Sequence, residues 1–543
     1  MKRIKPALPD RFADFVPSIS YSGKLATLMC RRTLKTIAVC SWLLTWAVGT
    51  GSVLAAGVPD DVQALHVLDR LAYGPSPGDV QKIRAMGIDK YIEEQLTPDS
   101  IPLPESLSRK LDGLETLPMN PAQLFKEYGP PIKRNRQVDP EAAKEARQRA
   151  RIILEQAAQA RLWRAVESPR QLQEVMVDFW YNHFNVYAVK GLDHLWVGAY
   201  EEQAIRPYAL GRFRDLLGAT ARHPAMLFYL DNWQNTAPGS PGARGKFQGL
   251  NENYARELME LHTLGVDGGY TQDDVIALAR ILTGWGIGRP RGRDNDKSGF
   301  VFDPKRHDFS DKVFLGRTIH GAGISEGEEA LDILARHPAT AHHIGYELAQ
   351  YFVADDPPAA LVNRLSRRFL DTDGDIRAVL DTLFHSPEFR DRKYYGNKFK
   401  TPYQYIVSAV RTAGVKVVNF RPLYGMLMQL GMSLYGCLTP DGYKNTRAAW
   451  LNPDAMTRRI GFATALASGR LPLGRPGYDS VAPRPDMGRQ TPDRVPAVDP
   501  VNAVTLADTL DNYFSAQTQS AIEAAPKPLR AAVILGSPEF MQH

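Results

Sequence analysis

The chain has 543 residues, with 66 Lys+Arg against 60 Asp+Glu and a formal net charge of +6. Residues 1–55 hold eight basic residues against only Asp10 and Asp14, so that segment supplies the whole surplus and the remainder is balanced. This excludes an overall basic field, and with it a general affinity for nucleic acid or an anionic lipid surface.

In chain order, the first element is an export segment over residues 1–55. Met29-Cys30-Arg31-Arg32-Thr33-Leu34-Lys35 is a basic n-region, residues 36–48 are apolar, and small residues follow to Ala56. Val53 and Ala55 satisfy the small-residue rule, which places cleavage after Ala55 and makes Met29 an alternative start. The apolar run is shorter than the roughly 20 residues of a membrane span. Arg31-Arg32 admits the twin-arginine route, whereas Lys35 suits the general secretory route; both stay open. The expected location is periplasmic or secreted, with no transmembrane span after signal removal. Only Cys437 remains in the mature chain, so no internal disulfide can form and stability must come from the core.

Nearly every later segment has the helical period, which predicts an all-α, multi-helix array. Helices are expected over 64–71, 77–86, 89–96, 140–167, 171–187, 331–337, 340–352, 359–370 and 375–384, with Asp139 capping the fourth and Pro140 at its first position. Residues 299–319 are the exception: FVFD and KVFLGRTI around His307-Asp308 predict a small hairpin-like excursion. The loop over 234–249, with Pro238, Pro241 and four glycines, directly precedes a polar helix and suits a pocket lid. The organisation is thus a main helical domain over 56–470, a loop over 471–500 with seven prolines, and a helical tail over 501–543 packing on the main domain.

The densest polar helix is NENYARELMELHTLGVDGGY, beginning at Asn251. At 100° per residue Tyr254, Ala255, Leu258, Met259 and Leu261 share a face with His262 near its middle, while Asn253, Glu257 and Glu260 form a flanking stripe and Arg256 is set to pair with Glu260. In the 171–187 helix, His183 lies on the apolar stripe with Trp180, and Asn182 lies opposite. Two histidines on core-facing stripes beside acids and amides suit acid–base chemistry; equally, they suit two unrelated hydrogen-bonded core histidines. Asp231 and Asn232 offer a carboxylate and an amide, or a loop cap. His307-Asp308, with His183, His262 and Glu257, offers a mixed N/O metal set, although no His-Glu-x-x-His arrangement occurs. Asp371 to Asp375 lacks the glycine and glutamate positions of a calcium loop, and Gly284-Trp285-Gly286-Ile287-Gly288 follows a helix rather than a strand, which removes a dinucleotide fingerprint. No Gly-x-Ser-x-Gly elbow or phosphate loop is present.

His66-Val67-Leu68-Asp69-Arg70 with Tyr73-Gly74-Pro75, Phe179-Trp180-Tyr181-Asn182-His183-Phe184, Asn251 to Gly265, Leu282-Thr283-Gly284-Trp285, His307-Asp308 with Lys312 and Gly316, and Lys398 with Pro402 and Arg411 occur in order. On these motifs the mature chain resembles the bacterial domain of unknown function 1800 family over nearly its whole length. The resemblance implies a large, exported, mostly helical protein, often encoded beside a co-exported, phosphatase-like partner, and it brings no established reaction. Tyr435-Gly436-Cys437 departs from the expected Gly-Pro-Trp pattern.

Three functions are expected from these residues. The first is a hydrolase or lyase acting on an extracytoplasmic polymer, carbohydrate in particular. In it Glu257 or Asp231 is the acid, His183 or His262 the base, and Asn182, Asn253, Arg256, Glu260, Trp180 and Trp285 bind substrate. The second is a non-catalytic envelope scaffold working with the co-encoded partner. The third is a metal-dependent enzyme using His183, His262, His307 and Asp308. The sequence names no cofactor.

Overall fold

A computed structural model describes residues 60–131, 140–288, 297–474 and 499–543. The segment expected to direct export, most of the proline-rich loop and the expected Asp139 cap lie outside the described residues. Helices dominate, as the periodicity predicts, and the described strands form two small antiparallel pairs.

The central element is α1 (Pro140–Glu167), 28 residues long and rich in buried alanine, including Ala146, Ala150, Ala157, Ala158 and Ala160. Short side chains let neighbouring helices approach closely along a rod of about 42 Å. Against it lies α2 (Gln171–His183), which is buried on nearly every side, including Glu174 and Asp178. It stops four residues earlier than its apolar pattern suggests. Beyond His183 the chain is held by tertiary bonds instead: Asn185 Nδ2 donates to the carbonyls of Cys437 and Thr439, and Tyr181 Oη donates to that of Val186.

The polar signature folds as α3 (Asn253–Glu260), followed by α4 (Gln272–Ile281), whose Thr271 and Asp274 form a capping box. His262 therefore lies two residues past the end of α3 rather than on its apolar face. Gly265, at φ +85°, turns the chain there. The excursion over 299–319 resolves into two pairs. Residues 300–302 pair backwards with Trp285–Ile287 rather than with 312–314, which form their own hairpin with 317–319. Trp285 is fully buried, and a Cβ on Gly327 would stand 2.1 Å from its ring.

Next come α5 (Pro338–Phe352), capped by His337, and α6 (Pro402–Thr412), capped by Thr401 with Gln404. Asp375 caps the helix Ile376–Phe384, so the Asp371 to Asp375 run is a helix start and not an ion loop. Ser386 and Ser537 each cap a short helix with proline at its first turn, which explains the echoed SPEF sequence. The C-terminal tail is tied to the rest by Tyr405 Oη donating to the Leu535 carbonyl and by paired backbone bonds between Lys398 and His543. No helix among the described residues is long and apolar enough to cross a membrane.

Burial of histidine makes the fold sensitive to acid. His223 caps the helix Pro224–Tyr229 by accepting from the Ala225 N–H at 3.2 Å, and burial lowers its imidazole to about 3. A depressed histidine contributes stability that is fully present above its ordinary value near 6.5 and is lost as pH falls. Each unit below that value should remove about 1.4 kcal/mol for this one group. His223→Asn keeps the capping acceptor and removes the titration. Its unfolding free energy should fall less between pH 7.5 and pH 5 than that of the parent, by about 2 kcal/mol. Equal losses in denaturant titrations at the two pH values would refute this.

Candidate active site

A candidate cleft opens where α2, α5 and the end of α3 meet the start of α6 and the segment 441–445. Its volume is about 280 Å³. At its floor, His183 ends α2 with its side chain only 2% exposed. From α5, His343 and Glu347 project one turn apart, with side chains 23% and 31% exposed. The spacing is the i, i+4 neighbour relation of a helix.

The contacts among these three groups define the chemistry. His183 Nε2 lies 3.1 Å from the His262 carbonyl, which can only accept, so this nitrogen carries a proton. His183 Nδ1 lies 2.6 Å from Glu347 Oε2. The other carboxylate oxygen is 3.6 Å from His343 Nε2, which itself stands 3.1 Å from the Leu261 carbonyl. Burial would push the Glu347 carboxyl up, but His183 first and then His343 hold it below the ordinary carboxylate value. Glu347 is thus an ionised, oriented carboxylate facing an open space.

The walls mix polar side chains with apolar surface from Leu261, Val266, Tyr351 and Met432. Asp178, Asn182, Glu260, Gln350, Gln404 and Asn445 all border the cleft, with Tyr443 and Phe179 as its aromatic surface. Asn182 pins the far wall: its Nδ2 donates to the Tyr443 carbonyl at 2.9 Å and its Oδ1 accepts from the Tyr443 N–H at 2.7 Å. That approach leaves no room at Gly442, whose φ is +65° and where a Cβ would stand 2.3 Å from the Asn182 carbonyl oxygen. Gly442→Ala should therefore push the 441–445 wall outward and cost about 1–3 kcal/mol of stability. A melting temperature unchanged from the parent would contradict this packing.

The residues expected from sequence divide clearly. His183, Asn182 and Glu260 border the cleft. His262 contributes its backbone carbonyl, while its ring is buried, has no partner for Nε2 and is held well below its ordinary pKa, chiefly by burial. Glu257 does not border the cleft; burial, then Glu260, raises its carboxyl. Arg256 pairs with Glu252 at 3.1 Å and donates to Gln272, rather than pairing with Glu260, whose carboxylate accepts from Tyr270 Oη. Asn253 donates to the Leu230 carbonyl. Trp180 and Trp285 have no exposed surface and serve as packing. Asp231 is a loop residue at φ +61°, ion-paired with Lys190 at 2.8 Å. His307 is buried between Thr283 and Glu326, and Asp308 is bound to Arg280, so neither joins the imidazoles of the cleft.

His343 and Glu347 were not singled out by the sequence reasoning. The available signal was the polar stripe His343, Glu347, Gln350 on the helix whose other face is Ile344, Leu348 and Phe352. Beneath the cleft runs a buried ionic network. Arg161 donates to Glu201 at 3.0 Å and to Asp178, and Arg206 binds Glu174 through two bonds of 2.9 and 3.0 Å. Tyr435, at φ +56°, donates to Glu201 from the segment that departed from the expected pattern.

No curated protein and no solved structure matches the chain. A family model described as "Protein of unknown function (DUF1800)" matches residues 66–542, from the first helix nearly to the C-terminus. The chain belongs to the DUF1800 family.

Proposed function

We propose that the protein is an exported enzyme, a hydrolase or lyase that cleaves a polymer outside the cytoplasm by acid–base chemistry in this cleft. The observation that carries the reading is the convergence of Glu347, His343 and His183 at the floor of an accessible cavity. A carboxylate and an imidazole stand side by side there, open to a substrate. Glu347 is the proton acceptor and His343 its donor partner. His183 is a positioning residue, because the His262 carbonyl and Glu347 occupy both of its nitrogens. Amide and carboxylate walls suit a hydroxyl-rich polymer, carbohydrate in particular, since such groups can exchange hydrogen bonds with many hydroxyls. The basic, apolar and small-residue order of residues 29–55 supports delivery to the periplasm or beyond.

The test is a screen of polysaccharides and peptidoglycan fragments with protein beginning at residue 56, read by new chain ends and product masses. His343→Gln should lower the rate on any substrate found by about 100-fold or more. A substrate cleaved equally well by that variant would place the chemistry elsewhere.

A further inference from the structure

We propose that His183, His343 and Glu347 form a binding site for one divalent cation of the zinc class. The inference rests on the reading of this cleft as a reaction centre and specifies what completes it. Among the described residues, these three side chains bring one ligand atom each to within 4.8 Å of one another. Two imidazoles and one carboxylate, with a remaining position open to a cleft, is the donor set of catalytic rather than structural zinc sites. It shares only His183 with the histidine and aspartate set suggested by sequence alone.

The positions of the protons argue for the same occupant. Donation from His183 Nε2 to the His262 carbonyl leaves the Nδ1 lone pair as the ligating atom, oriented by a backbone acceptor as ligating histidines usually are. That lone pair points at an acceptor, Glu347 Oε2, across 2.6 Å. A positive species must stand between them, either a proton on Nδ1 or a metal ion. His343 differs, because its Nε2 faces both Glu347 Oε1 at 3.6 Å and the Leu261 carbonyl at 3.1 Å; to ligate, it gives up its bond to that carbonyl and carries its proton on Nδ1 instead. Ligand atoms around a tetrahedral zinc ion lie about 3.3 Å apart, so Glu347 rotates away from His183 and the two imidazoles close on each other from a spread of up to 4.8 Å.

The surroundings favour a cation. Glu260 borders the same cleft without an ion-pair partner among the described residues, whereas Asp178 and Asp441 are paired with Arg161 and Lys444. Binding releases the His183 Nδ1 proton to solvent and moves the His343 proton from Nε2 to Nδ1, and the ion takes one bond from each imidazole and one from the carboxylate. The remaining position would face the cleft, and an ion bound there would supply Lewis-acid chemistry, with Glu347 and His343 serving as its ligands in place of their acid–base roles.

The experiment uses tag-free protein from residue 56, stripped with EDTA and equilibrated separately with Zn²⁺, Co²⁺, Mn²⁺ and Ni²⁺. Bound metal is measured by mass spectrometry, and Co²⁺ by its visible absorption. One ion per chain and a low-symmetry Co²⁺ spectrum are expected. His343→Gln and Glu347→Gln should each weaken binding by about 100-fold or more, while His342→Gln, one residue away and exposed, should not. Far-ultraviolet dichroism and melting curves identify any variant that fails to fold, in which case Glu347→Asp serves instead. No stoichiometric ion in the parent, or equal binding by the folded variants, overturns the proposal. Full activity in stripped protein would also overturn it while leaving the acid–base reading intact. Stoichiometric metal in a protein that cleaves nothing would sink the hydrolase reading and leave the cation site standing.

Discussion

Replacing Arg161 with methionine should destabilise the protein by about 3–5 kcal/mol at pH 7.5, because it leaves Asp178 without a counter-charge and Glu201 with only the Arg206 contact at 3.5 Å. Arg161 is buried, donates to Glu201 and Asp178, and lies over the rings of Tyr181, Tyr403 and Tyr435. Methionine keeps the aliphatic stem but not the guanidinium that lies over those rings, so the pH dependence of the loss, and not its size, identifies the charge. Burial already raises the carboxyls of Asp178 and Glu201, and Arg161 opposes that rise. Without it both should move higher still. A carboxyl raised in the folded state contributes stability at low pH that is lost as pH climbs through its folded value. The deficit should therefore be largest at neutral pH and shrink towards pH 5. Adding Asp178→Asn should recover part of it by removing one orphaned charge. A deficit independent of pH would show that lost packing, and not charge, dominates.

How far the sequence reveals this architecture depends on the kind of information each element needs. Helix 140–167 is legible to its last residue, since its limits are set locally by proline and by alternating alanine and charge. Helix 171–187 is overextended, because its end is decided by Asn185 reaching carbonyls more than 250 positions away. Strand 300–302 pairs with 285–287 and not with the 312–319 segment that its sequence suggests, because its partner lies upstream and is chosen by tertiary packing. The site divides likewise. His183 and Asn182 stand out as polar residues on an apolar helix, but their partners His343 and Glu347 sit on an ordinary-looking amphipathic helix. Nothing in linear spacing brings residue 347 to residue 183. Conversely, Trp180, Trp285, Glu257 and Asp231 attract notice by type, while packing, burial and a lysine partner account for them.

Glu347→Gln should lower the turnover of any substrate of this cleft by about 10²–10⁴-fold, with little change in melting temperature. The substitution is close to isosteric and can keep its bond to His183. In the parent, a positive species must separate Nδ1 from a carboxylate oxygen 2.6 Å away. In the variant, the amide NH₂ can donate directly to the neutral Nδ1 lone pair, while Nε2 still donates to the His262 carbonyl. Geometry survives and charge does not, so a large loss of rate in a folded protein would be chemical rather than structural. Glu347→Asp supplies the complementary arm. It restores the charge but withdraws the carboxylate by about one methylene, enough misplacement to cost on the order of 10²-fold in a positioned reaction. If glutamine and aspartate both retain the parent rate, the carboxylate on α5 takes no part in the reaction, and the cleft floor serves only to hold α2 against α5.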